Sequence, residues 1–170
     1  MTSIETSGAG APPAGDSAPT AVHRGEKDLP FVDIGDGSTL QLLQVDLAAG
    51  IWVIRNQFAP DTTIQTHKHT GVVHAFTQTG AWHYLESPEA VNVAGSYLFE
   101  PAGSLHTLHV PADNTEPTDV WFTIHGANLN LDDAGNVEMV IDAHLILPFY
   151  RGMCLAQHGI ADPPVVVIGE

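Results

Sequence analysis

The segment His67-Lys68-His69-Thr70-Gly71-Val72-Val73, running on to Gly80, and the later segment Gly95 to His106, with Pro101-Ala102-Gly103 inside it, decide the reading of this chain. Histidines at i and i+2 of an extended segment project from one face of a strand. A third histidine, His106, arrives on a later strand punctuated by Gly and Pro. Three such side chains complete one side of a metal ion and leave other positions open, which is the arrangement of a reactive centre rather than a structural staple.

Outward from these segments the chain reads as short strands broken by turn residues. Thr39 to Asp46, Ile51 to Phe58, Thr62 to His69, Val72 to Gln78 and Ala81 to Glu86 follow one another, with Gly50, Thr70-Gly71 and Thr79-Gly80 between them. Val91 to Val93, Ser96 to Phe99, His106 to Val110, Val120 to Ile124, Leu129 to Leu131 and Val137 to Ile141 continue the series. Strands at spacings near ten residues, with no helical pattern between them, predict an all-β sandwich or barrel. The stretch Ala143 to Gln157 differs: Leu145, Phe149, Met153 and Ala156 suit a short helix, with Pro148 restricting where it starts. Residues 1–25 are mostly Ala, Gly, Pro, Ser and Thr, too poor in large apolar groups to offset ordering entropy, and are expected to form a disordered tail. Residues 26–170 are expected to form one domain.

Composition narrows the function classes. A net charge of −15, from 20 acidic against five basic residues, excludes nucleic-acid binding and anionic membrane surfaces, both of which need clustered Lys and Arg. No apolar run is long enough to span a membrane and no secretion signal is visible, so cytoplasmic residence is expected. The single cysteine, Cys154, lies in an apolar stretch and reads as a buried thiol.

The two segments resemble the paired motifs of the cupin superfamily. His67, His69 and Gly80 match the first motif and Gly95, Pro101, Gly103 and His106 the second, while Val73 stands at the first motif's Glu and Val110 at the second's Asn. The resemblance implies a single cupin barrel (a double-stranded β-helix or jelly roll) with a short C-terminal helix, and His67, His69 and His106 as metal ligands. His74, one residue past the Glu position, belongs on the opposite face of the strand unless a bulge turns it inward. Glu100 is the nearby carboxylate. It reads either as the acceptor of a ligand histidine's second ring N–H or as a solvated acid at a strand end.

Thr66 to His74, together with Phe99 to Leu108, is similar to the 2,4′-dihydroxyacetophenone dioxygenases and the related acetylacetone-cleaving dioxygenases. That resemblance implies Fe(II) on the three histidines and O₂-dependent cleavage of a C–C bond in a small aromatic ketone. For 2,4′-dihydroxyacetophenone the products are 4-hydroxybenzoate and formate. A β-diketone is an alternative substrate, and a zinc-binding cupin acting as a sensor is an alternative of another class, since three histidines also suit Zn²⁺. Cupin barrels commonly associate, so a dimer or tetramer is expected.

Overall fold

The computed structural model describes residues 21–169. Residues 1–20, most of the expected tail, lie outside the described residues; Arg24, just past them, donates its Nε–H to the Pro164 carbonyl. In chain order the strands are β1 (Val32–Asp33), β2 (Ser38–Asp46), β3 (Ile51–Phe58), β4 (His67–His69), β5 (Val73–Thr79), β6 (Ala81–Tyr84) and β7 (Ser87–Val93). They continue as β8 (Tyr97–Glu100), β9 (Leu105–His106), β10 (Leu108–His109), β11 (Thr118–His125), β12 (Asn128–Leu131) and β13 (Val137–Ile141). The helix α1 (Ala143–His158) and the strand β14 (Val166–Ile168) complete the chain.

The largest sheet runs β1-β2-β3-β11-β5-β8, with β14 parallel to β2; facing layers are β13-β12-β4-β9 and β10-β6-β7. This is the all-β cupin barrel with one C-terminal helix. The inward faces alternate as a half-buried strand requires: in β5, Val73, Ala75 and Thr77 are buried while Phe76 and Gln78 are exposed. Trp52, Leu42, Val45, Val120, Ile124 and Tyr150 sit in the resulting core. Gly80 is needed where β5 turns into β6. Its φ is 73°, and a Cβ there would collide with Thr118.

One difference from the sequence reading concerns a strand. Only His67–His69 of the expected strand from Thr62 is regular, because Thr62 to Thr66 is tied by single bonds to Leu108 and Val110 rather than by a continuous ladder. The helix α1 covers the expected stretch Ala143 to Gln157, with Pro148 inside it. The helix begins where Asp142 caps it, accepting from the amides of His144 and Leu145, and ends at Gly159 with φ 71°. Tyr150, whose hydroxyl donates to the Pro30 carbonyl, and buried Ile146, Leu147 and Cys154 hold α1 on the barrel. Among the described residues no helix is long and apolar enough to cross a membrane.

Candidate metal centre

Strand pairing assembles the site. On β4, His67 and His69 are buried with Lys68 exposed between them. In the β4–β9 ladder His67 stands directly opposite His106, bringing the two motifs together. Gly103, at φ 87°, makes the turn before β9, and its amide donates to the His69 carbonyl. One ring nitrogen from each of His67, His69 and His106 falls within 4.8 Å of the other two. The Nε2 atoms of His67 and His106 are 3.2 Å apart.

Glu100 joins this cluster directly. Its Oε2 lies 3.1 Å from His69 Nε2 and 3.2 Å from His106 Nε2. The sequence reading placed Glu100 as an acceptor behind a ligand's second ring nitrogen, or in solvent; instead it is 3% exposed and its oxygen sits among the Nε2 atoms themselves. The reason is ladder register. Val73, at the motif's Glu position, is paired directly across β5–β8 with Glu100. A carboxylate absent from residue 73 is thus supplied from the neighbouring strand, beside His69 and His106.

Neighbouring groups fix these donors. His67 Nδ1 lies 2.9 Å from the Gln65 carbonyl, which makes Nδ1 the protonated nitrogen and leaves the Nε2 lone pair facing the cluster. The Tyr84 hydroxyl donates to Glu100 Oε1 at 2.5 Å, and its ring stacks on His106 with centroids 3.9 Å apart. The place of Tyr84 at the site shows only once β6 pairs with β10. His74 sits on the other face of β5, its Nδ1 2.8 Å from the Tyr97 hydroxyl, and takes no part in the cluster.

Burial sets the protonation states. It pushes His69 and His106 down to about 3, helped by the neighbouring imidazoles, and lowers His67 as well. Burial also raises Glu100, to about 7, against the lowering effect of the Tyr84 hydroxyl. The imidazoles are therefore neutral at pH 7, the form that ligates metals.

The donor set fits a divalent ion. Donors bound side by side at about 2.0–2.2 Å stand roughly 3.0–3.4 Å from one another, and His67–His106, His69–Glu100 and His106–Glu100 are 3.1–3.2 Å apart here. Glu100 Oε2 is buried with no hydrogen-bond partner, as is His69 Nδ1. A buried carboxylate oxygen without a donor is costly unless a cation satisfies it.

His67, His69 and Glu100, with Tyr84 beside them, line a cavity of about 550 Å³. Its wall is largely apolar, formed by Trp52, Ile54, Phe58, Leu108, Phe122 and Ile124. Asn128 and Asn130, which face His69 and His67 across the β4–β12 ladder, add amides to the same cavity. Met139 of β13, beside Asn130 in the β12–β13 ladder, and Leu145 and Phe149 of α1 also line it.

Comparison with known proteins agrees with this construction. The family model for the ChrR cupin-like domain matches residues 20–128. A cupin-like protein of unknown function from Ralstonia eutropha is 31% identical, covers 88% of this chain and 97% of its own, and superposes with a TM-score of 0.77. An acetylacetone dioxygenase from Acinetobacter johnsonii is 21% identical, covers 82% of this chain and 95% of its own, and has a TM-score of 0.67. The Rhodobacter sphaeroides anti-sigma ChrR, solved in complex with SigE, is 14% identical, with 59% and 52% covered and a TM-score of 0.50. No curated protein matches the chain. On the family model and the Ralstonia relative, the chain belongs to the ChrR cupin-like branch of the cupin superfamily.

Proposed function

We propose that this protein is a metal-dependent dioxygenase that cleaves a carbon–carbon bond of a chelating ketone, with Fe(II) held by His67, His69, His106 and Glu100. The observation that carries this reading is the continuity of the buried donor set with a large apolar cavity. A structural metal site is closed by protein on all sides, whereas a catalytic one opens on room for a substrate. Fold likeness to the Acinetobacter johnsonii acetylacetone dioxygenase supports the same reaction class.

A bound Fe(II) supplies Lewis-acid polarisation of a carbonyl–hydroxyl or dicarbonyl pair and one-electron chemistry with O₂. The protein supplies the rest. Neutral His67, His69 and His106 offer lone pairs without first losing protons at pH 7. Tyr84 holds Glu100 Oε1 so that Oε2 remains turned to the histidines. The walls exclude water from the reacting end of the cavity. For 2,4′-dihydroxyacetophenone the balance is one ketone and one O₂ giving one 4-hydroxybenzoic acid and one formic acid, with no external reductant.

Metal analysis of protein purified with and without air, combined with oxygen uptake on 2,4′-dihydroxyacetophenone and acetylacetone, tests this. Stoichiometric O₂ consumption by the iron form, abolished by chelation, is expected. A protein that carries zinc alone and consumes no oxygen with either ketone would instead fit a zinc-binding regulatory cupin. The match to the ChrR cupin-like model favours that second reading.

A further inference from the structure

The cavity is far larger than its metal-binding end requires. At about 550 Å³ it has room for roughly 18 waters at about 30 Å³ each. A small diketone on the metal would leave most of it filled with water against apolar walls. Size alone therefore separates the substrates that the donor set cannot.

The position of the opening adds direction. Met139, Leu145 and Phe149 line the cavity and are also 51%, 45% and 41% exposed, so they mark its mouth, between β13 and the start of α1. Asp36 is the charged residue at the rim, and among the described residues no Lys or Arg lines the cavity. A carboxylate or phosphate on the ligand's body would find no cationic partner there and would face the field of a chain carrying −15.

Resting on the metal-centre reading above, we infer that the occupant is an uncharged chelator with a bulky apolar body, about two aromatic rings in extent. Its oxygen pair sits at His67, His69, His106 and Glu100. Its body runs past Ile54 and Phe122 to Met139 and Phe149. Small diketones bind the same donors but leave the body site empty.

The Zn(II)-loaded protein, which binds without turning over, tests this with a series of β-diketones sharing one chelating head. Acetylacetone, benzoylacetone and dibenzoylmethane add one phenyl ring at each step, and succinylacetone adds a short carboxylate arm. Dissociation constants from calorimetry, or from quenching of Trp52 in the cavity wall, are expected to fall by about tenfold or more per ring, the effect of burying an aromatic group. Succinylacetone is expected to bind no tighter than acetylacetone. Met139→Glu and Phe149→Ser, both at the exposed mouth, are expected to weaken dibenzoylmethane about tenfold while leaving acetylacetone within about twofold.

Dissociation constants that stay flat or rise along the series, no binding at all, tight binding of succinylacetone, or equal loss of both diketones in the mouth variants overturns the inference. Oxygen uptake by the iron form is a separate measurement. Absence of turnover with the rank order intact removes the dioxygenase and leaves the ligand class standing.

Discussion

The two ends of the cavity are built on opposite principles. At the closed end, three histidines and a glutamate are each no more than 8% exposed, with His67 Nε2 3.2 Å from His106 Nε2 and Glu100 Oε2 3.1–3.2 Å from His69 and His106. At the mouth, Met139, Leu145 and Phe149 are apolar and 41–51% exposed. The closed end buries polar groups that a cation would satisfy, and the mouth exposes apolar surface that an apolar body would cover. A substrate that satisfies both has a chelating head and an apolar tail.

The most damaging change to this arrangement is His106→Ala. It removes an Nε2 facing both His67 and Glu100 and the ring on which Tyr84 stacks. Tight metal binding and oxygen uptake are expected to fall to background, read by competition titration with a chromophoric chelator. His74→Ala, on the far side of β5, serves as the contrast and is expected to leave metal affinity within about twofold. An equal loss in both variants would place the metal elsewhere.

Glu100→Gln sharpens the electrostatics of the closed end. In the metal-free protein burial holds the carboxyl protonated up to about pH 7, whereas His69 and His106 stay neutral down to about 3. Binding an ion to the carboxylate therefore displaces one proton below pH 7 and none above it. Metal affinity is expected to drop about tenfold per unit as pH falls from 7 toward 5, and to be level above 7. Glutamine cannot titrate, so the variant is expected to bind more weakly at pH 8 and to lose that slope. Zn(II) titrations at pH 5.5, 6.5 and 8 check both; a slope retained in the variant would remove Glu100 from the donor set.

Tyr84→Phe makes a smaller change to the same profile. The hydroxyl that donates to Oε1 lowers Glu100, against the larger effect of burial. Without it Glu100 rises further, and the pH below which affinity declines moves upward. A hydrogen bond to a charged group contributes about 1.5–3 kcal/mol, so a weakening of roughly tenfold or more is expected at pH 6.5, with much less at pH 8.5. An unshifted profile would reduce Tyr84 to a packing residue.

The closed end was only partly legible in the sequence. His67, His69 and His106 could be read because the spacing within each motif is local and β-strand parity is fixed. Parity also placed His74 outward. The placement of Glu100 and Tyr84 could not be read, because it depends on which strands become neighbours. The β5–β8 register that sets Glu100 opposite Val73, and the position of β6 beside the donors, join segments far apart in the chain. The mouth was less legible still. The hairpin of β12 and β13 and the helix were both expected, but no periodicity says that Met139, Leu145 and Phe149 meet over one cavity. The helix was expected over Ala143 to Gln157 and runs Ala143–His158, its start set by the Asp142 cap.

The smallest expected effect lies in the stability of the mouth, and it tests whether the exposed apolar groups there serve the fold at all. Met139 is on β13, an edge strand paired with β12 alone, and is half exposed. Substitutions at such positions generally change stability by no more than about 0.5 kcal/mol. Met139→Ser should therefore leave the urea midpoint of the metal-free protein nearly unchanged while weakening the larger diketones. Ile124→Ser, in the same cavity wall but 2% exposed, should lose several kcal/mol, because it removes a core side chain and leaves a hydroxyl in an apolar wall. If Met139→Ser destabilised the barrel as Ile124→Ser does, the side chain would belong to the core, and its exposure at the mouth would no longer imply a ligand to cover it.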